Sequence, residues 1–150
     1  MVAVATAVSL AGCSPTVALK PADDAINVGC AEVVVRLPDT VAELPIRQTD
    51  AQGTGAWGEP ASVILRCGVV VPGPTAALPC VTEGSIDWLV DDSNDPSFVF
   101  TTYGREPAVE VIIDNTVVAG VTALSDLEYA ISFTTPNGRA CEVPSSSADE

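Results

Sequence analysis

The chain has 150 residues, 47% of them hydrophobic, with 20 acidic against 6 basic side chains and a formal net charge of -14; its mean hydropathy is +0.36. That length suits a single hydrophobic core, and the apolar content excludes a disordered chain despite the charge imbalance. A surface this acidic, with Lys20 as its single lysine, repels phosphate backbones and anionic headgroups, which excludes nucleic acid as a partner.

Met1 to Gly12 carry no charge, are almost wholly small or apolar, and run into Leu10-Ala11-Gly12-Cys13. Small residues before a cysteine at this position form a lipobox: a signal peptidase cuts there, and the Cys13 thiol takes a diacylglycerol group. Residues 1–12 are thus expected to be a signal peptide, and 13–25 the lipidated cysteine with a polar, proline-containing tether. The leader lacks a basic n-region and is shorter than the usual length of about 15 to 30 residues, so a start upstream of Met1 is expected. No later stretch reaches the roughly 18 continuous apolar residues of a membrane helix. The membrane would then be reached through lipid alone, on its outer face.

A single domain is expected over residues 26–143. Between Val28 and Leu37 the apolar residues Ala31, Val34, Val35 and Leu37 partly trace a helical face; the β-branched run Val33-Val34-Val35 would also suit a strand, but a helix is expected, and Leu37-Pro38 ends it because the residue before proline is pushed out of the α region. Four runs rich in β-branched and aromatic residues read as strands of an antiparallel sheet: Val63 to Val71, Ile86 to Val90, Phe98 to Thr102 and Val109 to Ile113. Asp114-Asn115-Thr116 offer caps for a second helix over Val117 to Tyr129, with Val117, Val121, Leu124 and Leu127 on one face. Residues 144–150 are a short tail of serine and acid. The expected architecture is α+β, one antiparallel sheet of four to five strands with two helices on a face.

With Cys13 assigned to lipid, Cys30, Cys67, Cys80 and Cys141 remain, an even number in an exported chain, and two disulfides follow. Of the three possible connectivities, Cys67 with Cys80 and Cys30 with Cys141 are favoured, the first closing a loop through Pro72-Gly73-Pro74 and the second tying the ends of the domain together. Wide spacing and the absence of any histidine speak against a metal centre.

Other patterns are weaker. Gly53-Thr54-Gly55-Ala56-Trp57-Gly58 matches a dinucleotide fingerprint literally, but Gln48-Thr49-Asp50 precedes it where an apolar strand is needed, and no cofactor is expected. Asp91-Asp92-Ser93-Asn94-Asp95 alternates oxygen donors like a calcium loop, yet lacks the glycine and the final bidentate glutamate. Hydrolysis has no histidine for a triad; a carboxylate-dependent wall hydrolase would draw on Asp87, Glu106 or Glu110. Trp57-Gly58-Glu59-Pro60-Ala61 and Tyr103-Gly104-Arg105-Glu106-Pro107-Ala108 form matching corners, each leading into a strand, and their rings are expected chiefly to pack on the sheet. The alternative is a small-ligand groove near Trp57, Trp88 and Tyr103.

Gly55-Ala56-Trp57-Gly58-Glu59-Pro60, Leu65-Arg66-Cys67-Gly68-Val69, Asp87-Trp88-Leu89-Val90 and Phe100-Thr101-Thr102-Tyr103-Gly104-Arg105, with the lipobox, resemble the short actinobacterial exported proteins of the domain of unknown function 3515 family. The resemblance spans about Cys30 to Cys141; it implies export and an actinobacterial lineage and brings no catalytic residues with it. The expected role is a non-catalytic accessory domain of the cell envelope that binds a protein or a wall component.

Overall fold

The computed structural model describes residues 14–142; the lipidation site expected at Cys13 and the tail at 144–150 lie outside them. In chain order the elements are α1 (Val28–Val34), β1 (Thr40–Val41), β2 (Leu44–Arg47), β3 (Thr54–Trp57), β4 (Val63–Val69), β5 (Cys80–Glu83), β6 (Ile86–Asp91), β7 (Ser97–Tyr103), β8 (Arg105–Glu106), β9 (Ala108–Asp114), α2 (Gly120–Ile131) and β10 (Thr135–Pro136). Eight strands form one antiparallel sheet in the order β1-β2-β3-β4-β9-β7-β6-β5, and β8 pairs with β10 beside it. The fold is α+β as expected, but the sheet is larger than four or five strands. The additional strands β1, β2, β3 and β5 run for two to four residues each, too short to show a period of two.

The four strands expected from β-branched patterning are all present, as β4, β6, β7 and β9. Their alternation sorts side chains onto two faces. Val63, Leu65 and Cys67 of β4 lie opposite Ile113, Val111 and Val109 of β9 and are buried in the core, whereas Ile64 and Arg66 pair with Ile112 and Glu110 on the other face. The core face is completed by Trp57, Ile86, Trp88 and Phe100 and by both helices. Helix α1 starts at Asn27, whose Oδ1 accepts from Gly29 N at 2.9 Å, and ends at Val34, short of the expected Leu37.

Helix α2 begins at Gly120, not Val117. Asp114 does not cap it: its Oδ1 accepts from Thr116 N and Thr116 Oγ1 at 2.9 and 2.6 Å, closing a local turn. The buried face is Ala123, Leu124, Leu127, Ala130 and Ile131, while Val117 and Val121, expected inside, are exposed. Val117 precedes the helix, and Val121 lies off the stripe that these five residues trace. Helix α2 touches β9 near the sheet centre and both edge strands, β1 and β5, so the sheet curves around it. Two carboxylates of α2 secure the edges: Asp126 accepts from Ala42 N in the β1–β2 turn and Glu128 from Ser85 N in the β5–β6 turn, each at 2.7 Å.

Both disulfides are present, with a different pairing from the favoured one. Cys30 is bonded to Cys67, and Cys80 to Cys141. Cys67 faces the core on β4, whereas Cys80 lies four strands away beside Leu89 on the opposite face, about 19 Å off by strand spacing. No disulfide spans that separation; nearness in sequence misled.

Residues 14–25, expected as a loose tether, are bound to the domain instead. Val17 N donates to Gln48 O and Leu19 N to Asp50 Oδ1, each at 2.8 Å, and the guanidinium groups of Arg47 and Arg66 donate to the carbonyls of Pro15 and Lys20. This strap covers Thr54 and Ala56, which would otherwise be open on the outer face. It turns around the end of β4 at Gly68, where φ is +89° and a Cβ would overlap the Asp24 backbone, so glycine is required.

Candidate functional site

The connection from β4 to β5 shapes the open part of the outer face. It must cross β9, β7 and β6, a span of about 19 Å, with residues Val70 to Pro79, which reach roughly 33 Å when extended. The surplus lifts it off the sheet as an arch. Pro72, Pro74 and Pro79 carry no N–H, and of the remaining backbone amides in the arch only that of Ala77 is bonded to another of the described residues, donating to Thr75 Oγ1 at 3.0 Å. Under one side lies a cavity of about 530 Å³ lined by Val70, Pro72, Leu78, Leu89, Thr101 and Glu110. On the other side a second, of about 540 Å³, is bounded by Pro74, Thr75, Leu89, Tyr103 and the C-terminal residues Ala140 to Glu142. Pro74, Thr75 and Leu89 border both, so the two form one cleft divided by the crown of the arch.

The far wall is the C-terminal segment. After β10, Asn137 N donates to Gly104 O at 2.9 Å, and at Gly104, φ +78°, a Cβ would overlap the Arg139 carbonyl. The segment is held by the Cys80–Cys141 bond, by Cys141 N donating to Asp87 Oδ2 at 2.7 Å, and by a long contact from Arg139 Nη1 to Pro72 O at 3.5 Å. Asp87 also accepts from Thr82 Oγ1 at 2.6 Å, and Glu110 forms an ion pair with Arg66 at 3.0 Å. The cleft therefore offers a half-buried phenol, hydroxyls from Thr75 and Thr101, proline and leucine surfaces, the Glu110 carboxylate engaged by Arg66, and the exposed carboxylate of Glu142 at its rim.

The three residues expected around one groove do not share it. Trp57 and Trp88 are wholly buried; Trp57 Nε1 donates to Pro38 O at 3.0 Å, while the Trp88 indole N–H has no partner among the described residues. Only Tyr103 reaches a cleft. The two matching corners are alike in backbone, with Gly58 and Gly104 at positive φ and cis Glu59-Pro60 and Glu106-Pro107 bonds. They differ in what the ring does, Trp57 facing inward and Tyr103 outward. Arg105 extends the second corner by donating to Ser132 O and Thr134 O just beyond α2, at 3.3 and 3.0 Å.

The carboxylates considered for hydrolysis are dispersed. Asp87 lies opposite Tyr103 and Glu110 opposite Thr101, so their backbones are about 12 Å apart, and Glu106 is exposed on β8 away from both. Asp91 to Asp95 form a hairpin turn in which Asp91 Oδ1 accepts from Ser93 N at 3.0 Å; the Ser93 side chain first, and this backbone bond second, hold the Asp91 carboxyl below its ordinary pKa. Among the described residues no three acidic or cysteine side chains converge as metal ligands. The glycine-rich match at Gly53 to Gly58 lies along β3 and its ends, with Gly55 against Leu37 and the Trp57 ring, so its central amides are committed to the sheet.

Pro72, Pro74, Thr75, Leu89, Thr101 and Glu142 were not anticipated as site residues. The signal for them was present in the ten residues between two strands, too many for a tight hairpin and rich in proline. No curated protein matches the chain, and no solved structure does. Residues 1–140 do match a protein family, the one described as "Protein of unknown function (DUF3515)", and by a match of that extent the chain, as its motifs suggested, belongs to the DUF3515 family.

Proposed function

We propose that this protein is a lipid-anchored accessory domain of the actinobacterial cell envelope, held by Cys13 on the outer face of the cytoplasmic membrane, and that it acts by binding an envelope protein or wall component without catalysis. One observation carries the reading: all four cysteines after Cys13 are bridged, one pair wholly buried, and such bonds persist in oxidising compartments outside the cytoplasm. The lipobox supplies the anchor, and a charge of -14 keeps an acidic domain from adhering to anionic headgroups. The engagement of Asp87 and Glu110 by Thr82, Cys141 and Arg66 suits a structural role for both. Expressed behind a complete export signal, the protein should fractionate with membranes and incorporate a fatty-acid analogue, and Cys13→Ala should be soluble and unlabelled. Membrane retention of Cys13→Ala would overturn the anchor.

The cleft favours a second reading, a small-ligand site bordered by Tyr103, Leu89 and the arch. Its dimensions fall in the usual range for small-molecule sites, and its proline, leucine and hydroxyl surfaces, with Glu110 paired to Arg66, suit a sugar or peptide fragment. Soluble wall fragments titrated into the labelled domain should shift the resonances of Tyr103, Leu89 and Thr75 and leave those of Trp57 and Trp88 in place. Shifts confined to the α2 face would contradict it.

A further inference from the structure

The two disulfides differ in a way that neither pairing nor loop length explains. Cys30 and Cys67 have no exposed surface. Cys80 and Cys141 are both partly exposed and both line the cleft. We propose that Cys80–Cys141 is a thiol-exchange site, and that its reduction by an extracytoplasmic dithiol of the Cys-x-x-Cys class releases the C-terminal wall and uncovers Tyr103 and Leu89. The choice of partner rests on the exported reading above, but the chemistry is a property of this chain.

The step is ordinary disulfide exchange. A thiolate of the dithiol attacks one sulfur of Cys80–Cys141, forming a mixed disulfide and expelling the other cysteine as a thiolate, which takes up a proton. The second thiol of the dithiol, as its thiolate, then attacks the mixed disulfide and frees the remaining cysteine. Two electrons pass to the Cys80–Cys141 pair, and the dithiol leaves as a disulfide. Attack needs an approach to sulfur along the S–S axis; Cys80 and Cys141 are partly exposed and border the cleft, whereas Cys30 and Cys67 have no exposed surface.

How far the wall moves once the bond is cut depends on its remaining attachments. Upstream, Thr135 and Pro136 stay paired with β8, and Asn137 with Gly104. Beyond Gly138, whose φ is +89° in open surroundings, the segment would keep, among the described residues, the local bond from Arg139 N to Asn137 Oδ1 at 3.2 Å, the Cys141 bond to Asp87 and the long Arg139 contact to Pro72. Ala140, Cys141 and Glu142 can then swing away about Gly138, a residue free to rotate.

The chain's two tyrosines provide the readout. Tyr103 is half-buried in the cleft, whereas Tyr129 is 67% exposed on α2 and serves as an internal control. The purified, fully bridged protein is treated with dithiothreitol under native conditions, its thiols are capped, and it is then nitrated. Capping should label Cys80 and Cys141 at least about tenfold faster than Cys30 and Cys67. Nitration of Tyr103 should rise several-fold with Tyr129 unchanged, and emission from the buried Trp57 and Trp88 should stay as in the bridged protein. The Cys80→Ser, Cys141→Ser double variant should show the same Tyr103 reactivity without reductant. Equal labelling of all four cysteines, earlier labelling of Cys30 and Cys67, or unchanged nitration of Tyr103 in the selectively reduced protein would each overturn the proposal. Because these readouts need no cell, a failed membrane fractionation leaves them intact.

Discussion

The sheet divides at the β4–β9 boundary into two halves built from the same parts and finished differently. Each has one tryptophan in the core, one Gly…Glu-Pro corner, one disulfide and one edge hairpin hydrogen-bonded to α2. On the β1–β4 side the indole N–H is satisfied, the disulfide is buried, and the strap from Ser14 to Ala25 covers the outer face. On the β5–β7 side the indole N–H has no partner among the described residues, the disulfide is partly exposed, and the outer face lies under an arch that stands off it. The lesson is that equivalent framework positions support opposite ends: one half is closed to hold the fold, and the other is left open as a cleft.

The sharpest way to break that contrast is at the matching rings. Trp57→Ala removes a fully buried indole and its bond to Pro38 and should lower stability by about 3 to 5 kcal/mol in denaturant unfolding. Tyr103→Ala, at the equivalent corner but half-exposed, should lower it by no more than about 1 kcal/mol. Equal losses would erase the distinction. The disulfides come next. For sequence separations of 37 and 61 the chain-entropy model gives about 4 kcal/mol each. Removing Cys30–Cys67 should show that loss in full, with a further loss from the void in the core. Removing Cys80–Cys141 should show less, because the segment after Gly138 recovers its own freedom in the folded state.

Smaller effects sharpen the picture at the edges. Ala42 and Glu43 both sit at positive φ, 47° and 65°, in the two-residue β1–β2 turn, a conformation that favours glycine. Glu43→Gly at this exposed position should raise the unfolding midpoint, by about 0.5 to 1 kcal/mol in stability. On the other edge, hydrogen bonds from Ser85, and to a lesser degree the charge of Arg105, hold the Glu128 carboxyl below its ordinary pKa of 4.5. A depressed carboxylate contributes stability that is present above the ordinary value and lost as pH falls through the lowered one. The β5–β6 turn should therefore loosen only on the acid side of pH 4.5. Glu128→Gln should remove that acid dependence, a small effect further weakened by salt; an unchanged acid limb in the variant would assign it to Asp91 and Asp114, whose carboxyls are lowered by their own turns.

Much of the framework was legible in the chain. Val63 to Val69 and Ala108 to Asp114 alternate visibly because one face is buried, and the four cysteines announced two bridges. The pairing was not legible, since it depends on Cys67 and Cys80 lying on opposite faces of a sheet whose order only the fold reveals. The strap was misread because its bonds are made by backbone and by arginines about 30 and 46 residues away, leaving no local pattern. Tyr103 was singled out correctly as a corner, but the cleft beside it depends on an arch whose height follows from strand order.

Native-state hydrogen exchange tests the division between the halves most directly. Amides of Val71 to Ala76 and of residues 138–140 should exchange by local opening, orders of magnitude faster than those of Leu65 to Cys67 and Ala56 to Trp57, which should exchange only with global unfolding. Protection of the arch equal to that of β4, or local exchange within β3 and β4, would contradict a closed half that holds the fold and an open half that carries the cleft.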